Sequence, residues 1–196
     1  MKHLGEQDYA VSAWSGGKTV QLAIRPGGAV YADRDFLWRL SSATVDLPES
    51  DFTSLPDYDR LIAPLTGSME LTHGKADGSV TEPLLLKPYT VHRFDGADRT
   101  HSAGCCTDFN LMLRKGRCGG RMEVLASSGV YRPDGRAEVL VLYAARGQAE
   151  LNPENGGRPV LLSEKESLIL EQNEISPVRV KLSEGGALAA AEIWKS

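Results

Sequence analysis

The chain has 196 residues, 41% of them hydrophobic and 24% charged, with a net charge of −4 at neutral pH. That length buries a substantial core, as one large domain or as two smaller ones. The acidic balance and the lack of any basic run longer than two residues exclude binding along a nucleic-acid backbone, and residues 1–13, charged at Lys2, Glu6 and Asp8, read neither as a secretory signal nor as a membrane span.

Strand signals dominate in chain order. Val20–Ile24, Phe36–Leu47, Arg60–Leu65, Met69–His73, Leu84–Lys87, Val91–Phe94 and Phe109–Leu113 are short runs rich in aliphatic and aromatic residues. Turn chemistry separates them at Pro26-Gly27-Gly28, Leu47-Pro48-Glu49-Ser50, Asp77-Gly78-Ser79 and Pro133-Asp134-Gly135. No helix longer than two turns is predicted; Gly185–Ile193 reads equally as a short helix or a terminal strand.

After Gly116 the pattern restarts. Leu65-Thr66-Gly67-Ser68-Met69-Glu70-Leu71 is echoed by Ala145-Arg146-Gly147-Gln148-Ala149-Glu150-Leu151, with Gly, Glu and Leu recurring 80 residues on. Pro83-Leu84-Leu85-Leu86-Lys87 is echoed 76 residues on by Pro159-Val160-Leu161-Leu162-Ser163. A strand, a glycine turn, a strand, a loop and a proline-led strand, used twice, predict two similar β-barrels in tandem, residues 1–118 and 119–196.

Most catalytic chemistries lack their signature. The four histidines, His3, His73, His92 and His101, show no metal-ligand spacing, so neither a metal nor another cofactor is expected. Cys105, Cys106 and Cys118 form no CxxC pair and read as reduced thiols of a cytoplasmic protein. The two adjacent cysteines lie near His101, a weak thiolate–base pattern, and no Gly-x-Ser-x-Gly elbow is present. Gly16-Gly17-Lys18-Thr19 matches only the end of a P-loop, without its leading glycine.

What remains is a set of arginines on strands. Alternation in Phe36–Leu47 puts Leu37, Arg39, Ser41, Ala43, Val45 and Leu47 on one face and Phe36, Trp38 and Leu40 on the other. If the first face points inward it carries a charge with it. Arg60 opens the next strand. An inward arginine needs a partner, either an internal carboxylate such as Asp57, Asp59 or Asp108, or an anionic ligand. Its planar fork suits a ligand carboxylate, to which it gives two parallel hydrogen bonds. Trp14 beside Gly16 and Gly17 either caps a barrel end or walls a pocket, and Asn110, alternating with Asp108 and Met112, is a candidate polar lining.

Three runs in the first third, Trp14-Ser15-Gly16-Gly17-Lys18-Thr19, Phe36-Leu37-Trp38-Arg39-Leu40-Ser41-Ser42-Ala43 and Leu55-Pro56-Asp57-Tyr58-Asp59-Arg60, closely resemble the HutD (or Ves) family, small proteins encoded with histidine-utilisation enzymes. Phe94-Asp95-Gly96 and Thr107-Asp108-Phe109-Asn110-Leu111-Met112 extend the resemblance, which is strong over residues 1–120 and weak beyond. The first motif departs from the family's Asn followed by three glycines, since Ser15 here precedes only two. The resemblance implies two cupin-type barrels of the RmlC-like jelly-roll kind packed into one compact all-β unit.

It also implies a non-catalytic protein that binds a small carboxylic acid of histidine catabolism, such as N-formylglutamate or urocanate, in a regulatory or buffering role. The ligand-binding residues expected are Arg60, Arg39, Trp14, Asn110 and Ser41 in the first barrel. A metal-independent cupin enzyme acting on a small polar acid, or a purely structural or interaction module, are the alternatives. Sheet edges that need cover make a homodimer the expected assembly if any forms.

Overall fold

The computed structural model describes residues 1–196 and is all-β apart from three one-turn 3-10 helices. The first strands are β1 (Lys2–Leu4), β2 (Ala10–Trp14), β3 (Gly17–Arg25), β4 (Trp38–Val45) and β5 (Glu49–Asp51). They are followed by β6 (Tyr58–Gly67), β7 (Met69–Gly74), β8 (Leu84–Leu86), β9 (His92–Asp95), β10 (Arg99–Ala103) and β11 (Cys106–Arg114). The remainder are β12 (Cys118–Leu125), β13 (Gly129–Tyr131), β14 (Val139–Arg146), β15 (Ala149–Pro153), β16 (Val160–Leu162), β17 (Ser167–Glu171), β18 (Val178–Leu182) and β19 (Ala187–Lys195). No helix is long and apolar enough to cross a membrane.

The chain divides into two compact units, residues 10–118 and residues 1–9 with 119–196. The first unit holds a six-stranded sheet in the order β2-β3-β4-β11-β6-β9 and a four-stranded sheet β5-β10-β7-β8. The second holds a five-stranded sheet β1-β17-β14-β19-β12 and a four-stranded sheet β13-β18-β15-β16. Residues 1–9, which the sequence assigns to the N-terminal unit, fold with the second one because β1 adds to the edge of β17, His3 opposite Leu168.

The sequence echo has a structural counterpart. β6 and β14 each lie between two antiparallel partners, β11 and β9 in one unit and β19 and β17 in the other. Each leads through a tight glycine turn into the companion sheet. Gly67 (φ 69°) and Gly147 (φ 64°) both take the left-handed conformation that side chains disfavour, which is why glycine recurs at that offset.

Burial follows the alternation that strands impose. Along β7, Met69, Leu71 and His73 point inward and Glu70 outward. The central strands are different: from Ala187 to Ile193 every residue of β19 is buried, so no period of two is visible there. In the first unit Val45, Ile62, Met69, Leu71, Leu86 and Phe94 form one apolar cluster, and Phe36, Leu55, Tyr58 and Met112 another. Phe36 and Tyr58 stack with ring centroids 4.3 Å apart.

The glycine pair serves this packing. A Cβ on Gly17 would lie 2.1 Å from the Thr44 carbonyl oxygen, and one on Gly16 2.2 Å from the Trp14 ring. Both glycines therefore let backbone and indole close up beside β4.

Candidate functional site

The six-stranded sheet of the first unit carries a cavity of about 350 Å³. Alternation on β4 decides its wall: Arg39, Ser41, Ala43 and Val45 line it, the face on which the sequence places Arg39. From β11 come Asp108, Asn110 and Met112, again alternate residues, and β6 supplies Arg60. Trp14 and Thr19 close one side, with Asp51 contributed by the end of β5 and Tyr31 and Phe52 by connections. Trp14, Arg39, Ser41, Arg60 and Asn110, the five candidates from sequence, thus surround one space.

Strand register orders these groups. Met112 pairs with Arg39 on one side and with Arg60 on the other, so both arginines stand at one level of the sheet. Asn110 lies one side-chain step along, opposite Ser41, and Asp108 a further step, opposite Ala43. Each step is about 7 Å along a strand. The cavity has a cationic end and an acceptor end.

At the cationic end the two arginines are held differently. Arg39 donates from Nε to Gln21 Oε1 at 2.8 Å and from Nη1 to Ser41 Oγ at 3.3 Å, with its guanidinium 4.3 Å above the Tyr31 ring. Arg60 is only 5% exposed, and its Nε has no hydrogen-bond partner. Its guanidinium lies against both Phe52 and Phe94, 4.8 and 5.1 Å from their ring centres. Burial pulls Arg60 down to about 10, opposed by Tyr31 and Asp108, which leaves it cationic at neutral pH. Asp59, one of the internal partners considered from sequence, is committed to Arg93, whose Nη2 lies 2.6 Å from Asp59 Oδ2.

Phe94 is itself supported from behind. His92 stacks on it at 5.7 Å with planes 9° apart, and His73 Nε2 lies 3.0 Å from His92 Nε2. Burial lowers both histidines from their usual range, so at neutral pH the pair is uncharged, one ring donating to the other.

At the acceptor end Asp108 is 3% exposed and Asn110 7%. Neither Asp108 Oδ1 nor Asn110 Oδ1 has a partner. Burial pushes Asp108 up to about 7, against the attraction of Arg60 and Arg39 and a hydrogen bond from the Ala43 amide. Trp14 Nε1 is likewise buried and unpaired. Five buried side-chain polar atoms in the chain lack a partner, and four of them, on Trp14, Arg60, Asp108 and Asn110, belong to residues around this cavity. A folded core rarely tolerates such atoms, so their convergence makes this cavity the candidate site for a polar ligand.

The cysteines and the remaining histidines lie elsewhere. Burial raises the Cys106 thiol to about 12, which removes its nucleophilic form, and His101 Nδ1 bonds Asp51 Oδ1 at 2.9 Å. No cluster of three or more His, Cys, Asp or Glu is arranged to hold a metal. Sequence reasoning passed over Gln21, Tyr31 and Phe52. Tyr31 and Phe52 sit outside regular strands, and Gln21 neighbours a register shift in β3, so strand alternation gave none of them away.

Comparison with known proteins places this geometry in context. The HutD family model matches residues 6–190. No curated protein matches the chain. Among solved structures, a conserved protein of unknown function from Pseudomonas aeruginosa is 26% identical with a TM-score of 0.79, covering 98% of both chains. HutD from Pseudomonas fluorescens, solved in a formate condition, is 21% identical with a TM-score of 0.77, over 100% of this chain and 98% of that one. Oxalate decarboxylase from Bacillus subtilis, 8% identical with a TM-score of 0.62, covers 99% of this chain and 77% of its own and shares the cupin-like fold.

Proposed function

The chain belongs to the HutD family, and from that premise we propose that it is a cytoplasmic, non-catalytic bicupin that binds a small carboxylic acid of histidine breakdown, such as N-formylglutamate or urocanate. Binding serves a regulatory or buffering role. The pathway comes from the family; the chemistry of the ligand comes from the pocket.

One observation carries the reading: a cationic Arg60, almost fully buried, faces a cavity with no carboxylate bonded to it. An unpaired buried charge is costly, and a ligand carboxylate is the partner that relieves it. Arg39, anchored by Gln21 and Ser41, adds a second positive charge at the same level. A cavity of about 350 Å³ suits a small metabolite rather than a polymer.

Titration calorimetry with N-formylglutamate and urocanate tests this, together with Arg60→Lys. The lysine keeps the charge and loses the two-pronged geometry, so affinity should fall by about 1.5–3 kcal/mol while the melting temperature changes little. Lower stability with unchanged affinity would remove Arg60 as the anchor and move that role to Arg39.

A further inference from the structure

We infer that the ligand of this pocket carries a hydrogen-bond donor, an N–H or O–H, apart from its carboxylate, and that Asp108 and Asn110 read that donor. The inference rests on the carboxylate reading of Arg60 and narrows it to a class of acid.

The two ends of the cavity differ in what they lack. At the arginine level the unmet atom is a donor, Arg60 Nε. One and two steps along β11 the unmet atoms are oxygens, Asn110 Oδ1 and Asp108 Oδ1. A bare dicarboxylate satisfies the first end and leaves the second worse off, because it sets a carboxylate against the ionised Asp108 and leaves Asn110 Oδ1 without a donor. An acid with a donor placed a side-chain step away from its carboxylate satisfies both. Trp14 Nε1, the remaining unpaired donor of the wall, is available to a further acceptor on the same molecule.

Asp108 is fixed for the task. Ser42 Oγ donates to its main-chain carbonyl at 2.8 Å, and its strand is paired on both sides, with Ala43 and Pro64 opposite. The charged and titratable groups around it are Arg60 on β6, Arg39 on β4, Cys106 on its own strand, and Tyr31 and Asp51 on the cavity wall. Ionised Asp108 accepts the donor. Protonated, it offers a donor of its own and no longer distinguishes ligands in this way. With Asp108 titrating at about 7, discrimination grows as pH rises through neutrality.

The test compares N-formyl-L-glutamate with 2-formyloxyglutarate, freshly prepared, which differs by replacement of the N–H with oxygen. At pH 8.5 the amide should bind about 10- to 100-fold more tightly than the ester, a preference that shrinks at pH 5.5. In Asp108→Asn the pH dependence of that preference should flatten. Equal binding of the two acids at pH 8.5, with both still weakened by Arg60→Lys, overturns the donor inference and leaves the carboxylate reading standing. Binding of neither acid, with urocanate also failing to bind, overturns the carboxylate reading and this inference with it.

Discussion

Asp108→Asn should raise the stability of the ligand-free protein at pH 9 and leave it nearly unchanged at pH 4. The sign follows from linkage. The Asp108 carboxyl ionises near 3.8 when unfolded and at about 7 in the folded chain, so between those values the native state holds a proton that the unfolded state has released. Its contribution to stability is complete below the unfolded value and is lost as pH rises through about 7. Above that, the wild-type protein carries a buried, incompletely paired carboxylate. The gap amounts to about 4 kcal/mol, which asparagine, neutral and of the same shape, should recover. Urea denaturation of both proteins from pH 4 to pH 9 measures it. A variant no more stable than wild type at pH 9 contradicts the account of Asp108 as a group held at a cost.

Glu192→Ala should have the opposite effect, in the other unit. Glu192 is fully buried, and its carboxylate accepts from Arg121 Nη2 at 2.9 Å, from the Tyr131 hydroxyl at 2.5 Å and from the Asp134 amide at 3.0 Å. The nearby carboxylate raises Tyr131 and Arg121, reinforcing burial in the case of Tyr131 and opposing it for Arg121. Removing it leaves the Tyr131 hydroxyl and the Asp134 amide without this acceptor and opens a cavity, while Arg121 keeps the Arg132 carbonyl, for an expected loss of about 2–4 kcal/mol by chemical denaturation. Glu192→Gln keeps an acceptor and should lose less. A loss below about 1 kcal/mol for the alanine variant would mean that water or a neighbour replaces the carboxylate readily.

These two buried carboxylates mark the difference between a structural and a functional charge. Glu192 has its partners inside the chain; Asp108 Oδ1 and Arg60 Nε do not. Groups left incomplete in an otherwise satisfied core are the usual trade of stability for binding.

The sequence made some of this legible. Short runs rich in aliphatic and aromatic residues, bounded by turn residues, located β4, β6, β7, β8, β9 and β11 to within a few residues. The glycines at 67 and 147 exposed the repeat because both need a left-handed backbone. The inward face of β4 was not decidable from the pattern, since Trp38–Ser42 is buried on both faces and alternation carries no contrast there. β19 was ambiguous for the same reason, its alanines fitting helix and strand alike. β1 carried no signal, being three mostly exposed residues whose partner lies more than 160 residues away.

The candidate site was legible where charge and strand coincide. Arg39 and Arg60 stand out as arginines in apolar runs, and Asn110 as a polar residue alternating with Asp108. That no carboxylate of the chain is bonded to Arg60 was not readable, because it depends on Asp59 turning to Arg93 on β9. Gln21, Tyr31 and Phe52 join the site through tertiary contacts with the two arginines, for which no local pattern exists.

The most direct test of the carboxylate pocket is a crystal structure of the protein with N-formylglutamate. The account predicts a ligand carboxylate within hydrogen-bond distance of the Arg60 guanidinium, inside the cavity between β4, β11 and β6. A ligand bound elsewhere, or one in the cavity whose carboxylates avoid Arg60, would contradict it.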